Sequence, residues 1–203
     1  MKIVLKFILV ILFVSCSDKQ ISLEQYAKYP VKFARKKITH PSNDFSVYIP
    51  KDWSWEVQEN EYMDELILGL GADSKEYING FSDMILIEKL KSAKENEFLK
   101  YEYEDWLNRM KENLGVKGIV ESGLSNFMNQ NTYFIHSKYN NEDVGQVETA
   151  HLFIESGEKG IFYMLTASVS QKKELEKKMA SLVQCLKTFE RLTENKNNAQ
   201  HNL

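Results

Sequence analysis

Few side chains in this sequence stand where they could do chemistry. There are two cysteines, Cys16 and Cys185, and four histidines, His40, His136, His151 and His201. A reactive thiol needs a neighbouring base or cation to lower its pKa. None adjoins Cys185, which sits beside Leu182 and Leu186 and reads as a small buried hydrophobe. His40 falls in a turn and His201 in a polar tail, which leaves His136 and His151. Pairing Ile135 with Ala150 in a hairpin of residues 132–138 and 146–154 sets both imidazoles on one sheet face, with Phe134, Thr149 and Phe153. Two imidazoles on adjacent strands begin a transition-metal or small-ligand site, but the sequence supplies no third ligand.

The other constellations read as scaffolding. Glu102, Glu104 and Asp105 lie opposite an apolar helical stripe and make a solvated face. Glu142 and Asp143 fall in a turn, without the ligand spacing of an EF-hand. Gly69-Leu70-Gly71 has neither a third glycine nor a following helix, so it is no phosphate loop. There is no Gly-x-Ser-x-Gly elbow and no His-Glu-x-x-His. A hydrolase is therefore the weakest reading, and the chain is expected to be neither an enzyme nor a cofactor carrier. Trp53 and Trp55, two apart, share a face if their strand continues, and with Tyr48 they are candidate anchors for a partner.

The N-terminus decides where such a site would operate. Lys2 and Lys6 precede an unbroken apolar run from Phe7 to Val14, the length of a signal-peptide core and too short for a permanent span. The run ends Phe13-Val14-Ser15-Cys16. This resembles the lipobox of a bacterial lipoprotein signal, with Phe13 where that family prefers leucine. The resemblance implies cleavage after residue 15 and acylation of Cys16, hence a membrane anchor in the cell envelope and no disulfide with Cys185. Loss of Lys2 and Lys6 takes the basic count from 26 to 24 against 29 acidic residues, a net charge of −5. So acidic a chain gains no overall attraction to nucleic acid or to anionic lipid, and attachment falls to the acyl chains.

The remaining elements follow from periodicity. Residues 16–39 read as the lipidated cysteine, a tether with a short helical turn at 22–29, and a basic edge strand at 31–39. Phe45 to Ile49 alternates as a strand, Leu66 to Leu70 and Met84 to Leu90 are further strands, and Met84-Ile85-Leu86-Ile87 is apolar on both faces. That pattern requires cover on both sides of the sheet. Ser92-Ala93-Lys94-Glu95 has capping-box spacing before the stripe Leu99, Tyr103, Trp106, Leu107, Met110 and Leu114. Strands at 119–127, 132–138, 146–154 and 161–167, joined by short links, form an antiparallel meander. Ser170 is placed to cap a last helix with its stripe from Leu175 to Phe189, and residues 191–203 form a disordered polar tail. The expected architecture is α+β: one antiparallel sheet of about six to seven strands with helices on both faces, spanning residues 40–190.

Two stretches carry a family likeness. One is the strand Phe45–Ile49 running into Pro50-Lys51-Asp52-Trp53; the other is the meander ending Phe162-Tyr163-Met164-Leu165-Thr166-Ala167 before a helix closing at Leu186-Lys187-Thr188-Phe189. Together they resemble the PsbP-like superfamily. That likeness implies an α/β/α sandwich that binds or assists assembly and seldom catalyses. Its partner here would be an envelope protein of unknown identity.

Overall fold

The computed structural model describes residues 20–58, 64–170 and 174–192. The expected signal segment 1–15, Cys16 and residues 193–203 lie outside them. Seven strands form the main sheet in the order β3 (Ser54–Gln58), β4 (Leu66–Asp73), β5 (Met84–Lys91), β9 (Ile161–Val169), β8 (Gly145–Glu155), β7 (Thr132–Asn141) and β6 (Ile119–Ser125), with every pairing antiparallel. The chain leaves β5, beside the central strand β9, crosses one face as α2 (Phe98–Leu114), and enters β6 at the far edge. The meander then returns inward until β9 meets β5.

Two apolar layers result. On one face α2 lays Leu99, Tyr103 and Leu107 over Ile135, Phe153, Phe162 and Met164. On the other, α3 (Leu175–Leu186) buries Met179, Leu182, Val183 and Leu186 against Leu70, Ile85, Ile87, Leu152 and Leu165. These are the α2 face and the α3 face of the sheet. Because β5, β8 and β9 are covered on both sides, only their end residues Lys91 and Glu155 are exposed, and most of the polar side chains among them are buried.

Several sequence expectations shift. The strand 45–49 does not join the main sheet. As β2 (Phe45–Pro50) it pairs with β1 (Arg35–Thr39) and with β10 (Glu190–Arg191) in a separate three-stranded sheet. Its inner residues Phe45, Val47 and Ile49, with Ile38, enter the core layer under α3. Arg191 thus pairs with Phe45 instead of belonging to a polar tail. Ser92 and Ser170 cap no helix. Helix α2 begins after Glu97 and α3 after Glu174, each of these in a left-handed conformation, φ 48° and 59°. The Ser92 hydroxyl is taken up by Glu102 Oε1 at 2.5 Å and the Lys94 amide at 3.0 Å. The Ser170 amide donates to Asp83 Oδ1 at 3.0 Å. The capping box sits instead at α1 (Leu23–Lys28), where Ser22 and Gln25 satisfy each other's amides. Cys185 is fully buried in α3, and burial pushes its thiol up to about 12.

Candidate functional site

The two histidines do not share a face. The strands β7 and β8 pair Ile135 with His151 and His136 with Ala150, one residue away from the expected register. A slip of one residue sends a side chain to the opposite face. The loop explains it: Asn141 pairs with Gly145, leaving three residues between them, and Asn141 Oδ1 accepts the amides of Asp143 and Val144. A site formed jointly by His136 and His151 is therefore excluded by the geometry. Among the described residues there is no group of three or more His, Cys, Asp or Glu side chains that could hold a metal.

Each histidine has its own work. His136 is buried on the α3 face, with Nε2 at 2.7 Å from Glu148 Oε1 and Nδ1 at 3.4 Å from Glu121 Oε1. Burial opposes its charge, but the hydrogen bonds and attraction of the two carboxylates outweigh that and raise its pKa. The same Glu121 oxygen accepts the Leu23 amide at 2.6 Å, and the Tyr26 ring meets the imidazole edge-on at 5.9 Å. The cluster clamps the first turn of α1 onto the sheet. The sequence does carry a sign of it. Glu148, Ala150, Leu152 and Ile154 alternate, so a carboxylate stands on an apolar face and needs a partner there. His151 lies on the α2 face beside Trp106, with Nδ1 at 3.0 Å from Thr166 Oγ1, and burial alone lowers its pKa to about 4. On that face too, Glu88 is 4% exposed, and its Oε2 has no hydrogen-bond partner among the described residues. Burial raises its pKa to about 7.

Trp53, Trp55 and Tyr48 take different places. The chain turns at residues 51–52 and Trp53 precedes β3, so the two tryptophans do not lie on one continuous strand. Trp55 is 40% exposed on the outer strand and Tyr48 is 38% exposed on β2. Trp53 is half-buried and forms the wall of a groove of about 350 Å³. Phe33, Pro50 and Leu182 complete the apolar wall, and Asp83 and Lys178 stand at its charged end. Lys178 Nζ is 2.9 Å from Asp83 Oδ2 and 3.7 Å from Glu76 Oε2. Lys36 Nζ donates to the Trp53 carbonyl at 2.6 Å and fixes the turn that presents the indole. The base of the β4–β5 arm lines the groove through Ser74, Glu76 and Asp83, while its tip exposes Tyr77, Ile78 and Phe81. That tip turns at Asn79 and Gly80, φ 48° and 85°, between the bridged Ile78 and Phe81. Sequence reasoning found Trp53 but missed Phe33, Asp83 and Lys178, which come from segments far apart in the chain.

A second hollow, about 770 Å³ and polar, lies at Asp44, Lys89, Glu158 and Arg191. Here Lys89 Nζ is 2.8 Å from both Asp44 Oδ2 and Glu158 Oε1, and Tyr163 donates its hydroxyl proton to Asp44. These groups satisfy one another and tie the start of β2 to β5 and to the β8–β9 turn. The groove at Trp53, with its apolar wall and charged end, is the arrangement suited to a ligand.

No family model matches the chain, and no curated protein matches it in sequence. Among solved structures it is similar to cyanobacterial PsbP (CyanoP) from Synechocystis sp. PCC 6803, with 5% identity, 80% of this chain and 95% of that chain covered, and a TM-score of 0.52. It is also similar to the Ran-binding protein Mog1p of Saccharomyces cerevisiae (11% identity, 79% and 97% covered, TM-score 0.47) and to LpqN of Mycobacterium tuberculosis, described as involved in cell envelope biogenesis (11%, 86% and 99%, 0.48). The fold is PsbP-like. At such identities the likeness is one of fold alone.

Proposed function

We propose that this chain is a lipoprotein of the bacterial envelope, anchored through acylated Cys16, that works as a non-catalytic binding or assembly module. The groove beside Trp53 takes its partner. The observation that supports this reading is the groove itself. A half-buried indole, Phe33, Pro50 and Leu182 offer an apolar wall that ends in the Lys178–Asp83 pair. A tryptophan on such a wall is the kind of side chain that dominates binding energy. The chemistry fits a protein segment carrying an apolar side chain flanked by polar groups. The nearby arm adds Tyr77, Ile78 and Phe81 as further exposed contact surface.

A photo-crosslinking amino acid at Ser181, which lines the groove, tests the reading in intact cells. One discrete adduct is expected, lost on Trp53→Ala and absent when the probe stands at Lys111 on α2. An adduct unchanged by Trp53→Ala, or no adduct at all, overturns the groove as the binding site. The anchor is tested separately. Fatty-acid label is expected on the wild type and not on Cys16→Ser, and no label on the wild type removes the lipoprotein reading.

A further inference from the structure

The charge of this protein is segregated along the chain. Residues 25–43 contain Lys28, Lys32, Arg35, Lys36 and Lys37 and no acidic residue, in a processed chain whose net charge is −5. The fold gathers this run onto one surface. In β1, Arg35 and Lys37 alternate with Lys36 and Ile38; Ile38 faces the core, while Arg35 and Lys37 point out and are exposed. On the neighbouring strand Tyr48 stands opposite Lys37 and is exposed as well. The Arg35 guanidinium lies 5.6 Å from the Phe33 ring centroid and 5.7 Å from that of Tyr48, so a cation is held between two aromatic rings. Lys32 is exposed just before the strand. Two acidic side chains temper the surface: Glu190 at 3.4 Å from Lys37 and Glu24 at 3.9 Å from Lys28, both in exposed, well-solvated pairs.

We infer that the outer face of the three-stranded sheet rests on the anionic headgroups of the bilayer in which the chain is anchored. The inference rests on the lipoprotein reading above for its geometry. Leu23 lies seven positions after Cys16, and an extended chain reaches about 3.5 Å per residue, so α1 stays within about 25 Å of the anchor. Helix α1 leads directly into the basic run. Cations near a negative surface act within about 10 Å at ordinary ionic strength, a distance that this tether permits. Aromatic rings beside cations suit the headgroup layer, where an apolar body and a polar tip are both accommodated. Net charge therefore misleads here: the attraction is local to the basic run of residues 25–43. Contact would orient the domain on its anchor.

The probe is the processed chain, residues 16–203, carrying Cys16→Ser so that no acyl group masks the surface. It is mixed with phosphatidylcholine vesicles with and without about a third phosphatidylglycerol. Binding is expected only to the anionic vesicles and is expected to weaken strongly between roughly 0.1 M and 0.5 M salt. Each basic residue at a charged surface is worth about fivefold, so Lys32→Gln, Arg35→Gln and Lys37→Gln together should weaken binding about a hundredfold. The charge-keeping set Lys32→Arg, Arg35→Lys and Lys37→Arg should bind as the wild type does. Should the triple glutamine variant fail to fold by circular dichroism, the three single variants are measured, each with the fivefold loss. Equal binding to both vesicles, no binding to either, or an equal loss on Lys100→Gln, Lys111→Gln and Lys117→Gln at the α2 side overturns the inference. Acyl labelling of Cys16 reports on the anchor independently, so failure of one idea is not read as failure of the other.

Discussion

Glu88 and His151 should pull the stability of this protein in opposite directions over the same pH range, and removing either should expose the other. Both lie on the α2 face of the sheet and both are buried. The Glu88 carboxyl has its pKa raised by burial from 4.5 to about 7. Between those values the unfolded chain has released the proton and the folded chain retains it. The folded state binds more protons, so stability falls as pH rises, by about 1.4 kcal/mol per pH unit and about 3 kcal/mol in all. Burial lowers the His151 imidazole from 6.5 to about 4. There the unfolded chain binds the proton and the folded chain does not, so stability rises with pH, again by about 3 kcal/mol. From pH 4.5 to 6.5 the two slopes cancel. His136, whose pKa is raised, acts above pH 6.5, and Glu121, whose pKa is lowered, acts below 4.5. The wild type should therefore show near-constant urea midpoints between pH 4.5 and 6.5. Glu88→Gln should lose about 3 kcal/mol on acidification across that window, and His151→Gln should gain a similar amount. The double variant should be flat again. A Glu88→Gln profile that stays as flat as the wild type would refute the reasoning, because it would mean that neither His151 nor Glu88 titrates away from its ordinary pH in the folded state.

Three further outcomes are expected. Leu186→Ala, at a site with no exposed surface, should lower stability by about 2–5 kcal/mol through lost burial and a cavity, while Lys177→Ala on the exposed side of α3 should change it by less than about 0.5 kcal/mol; equal small shifts in urea midpoints would mean that α3 is not part of the core. Ser22→Ala should cost about 1 kcal/mol by opening the α1 capping box, and hydrogen exchange should show the α1 amides less protected while those of α3 stay unchanged. The Cys185 thiol, buried and held at a high pKa, should resist iodoacetamide at neutral pH until denaturant is added; fast labelling of the folded protein would contradict its place in α3.

The element types were legible in the sequence because their periodicities are local. The stripe from Leu99 to Met110 and the alternation of Phe45 to Ile49 announce a helix and a strand from neighbouring residues alone. What such patterns leave out is the partner. Nothing in Phe45–Ile49 says that it pairs with residues 35–39 and 190–191 instead of joining the main sheet. Register is harder still. One residue in the length of the β7–β8 loop decided whether His136 and His151 met, and that length was set by the hydrogen bonds of Asn141. Helix starts at Glu97 and Glu174 were missed because neither uses a side-chain cap. The groove was visible only through Trp53, since Phe33 and Lys178 reach it from positions 145 residues apart.

The closure of the α3 layer also fixes when this molecule becomes a folded one. Helix α1 is held by Gln184, whose side-chain amide donates to the Tyr26 and Tyr29 carbonyls at 3.3 and 2.9 Å. The start of β2 is held by β10 and by the Leu192 amide, 2.8 Å from the Asp44 carbonyl. Part of what holds the first thirty described residues therefore comes from the last twenty. Contacts of such long sequence separation form late. During N-to-C synthesis the aromatic and aliphatic side chains of α1, β1 and β2 lack the α3 half of their seat until α3 and β10 have emerged. A chain stopped after β9 would keep the α2 layer but leave the opposite face of its sheet bare, so the last elements made act as the latch of the domain.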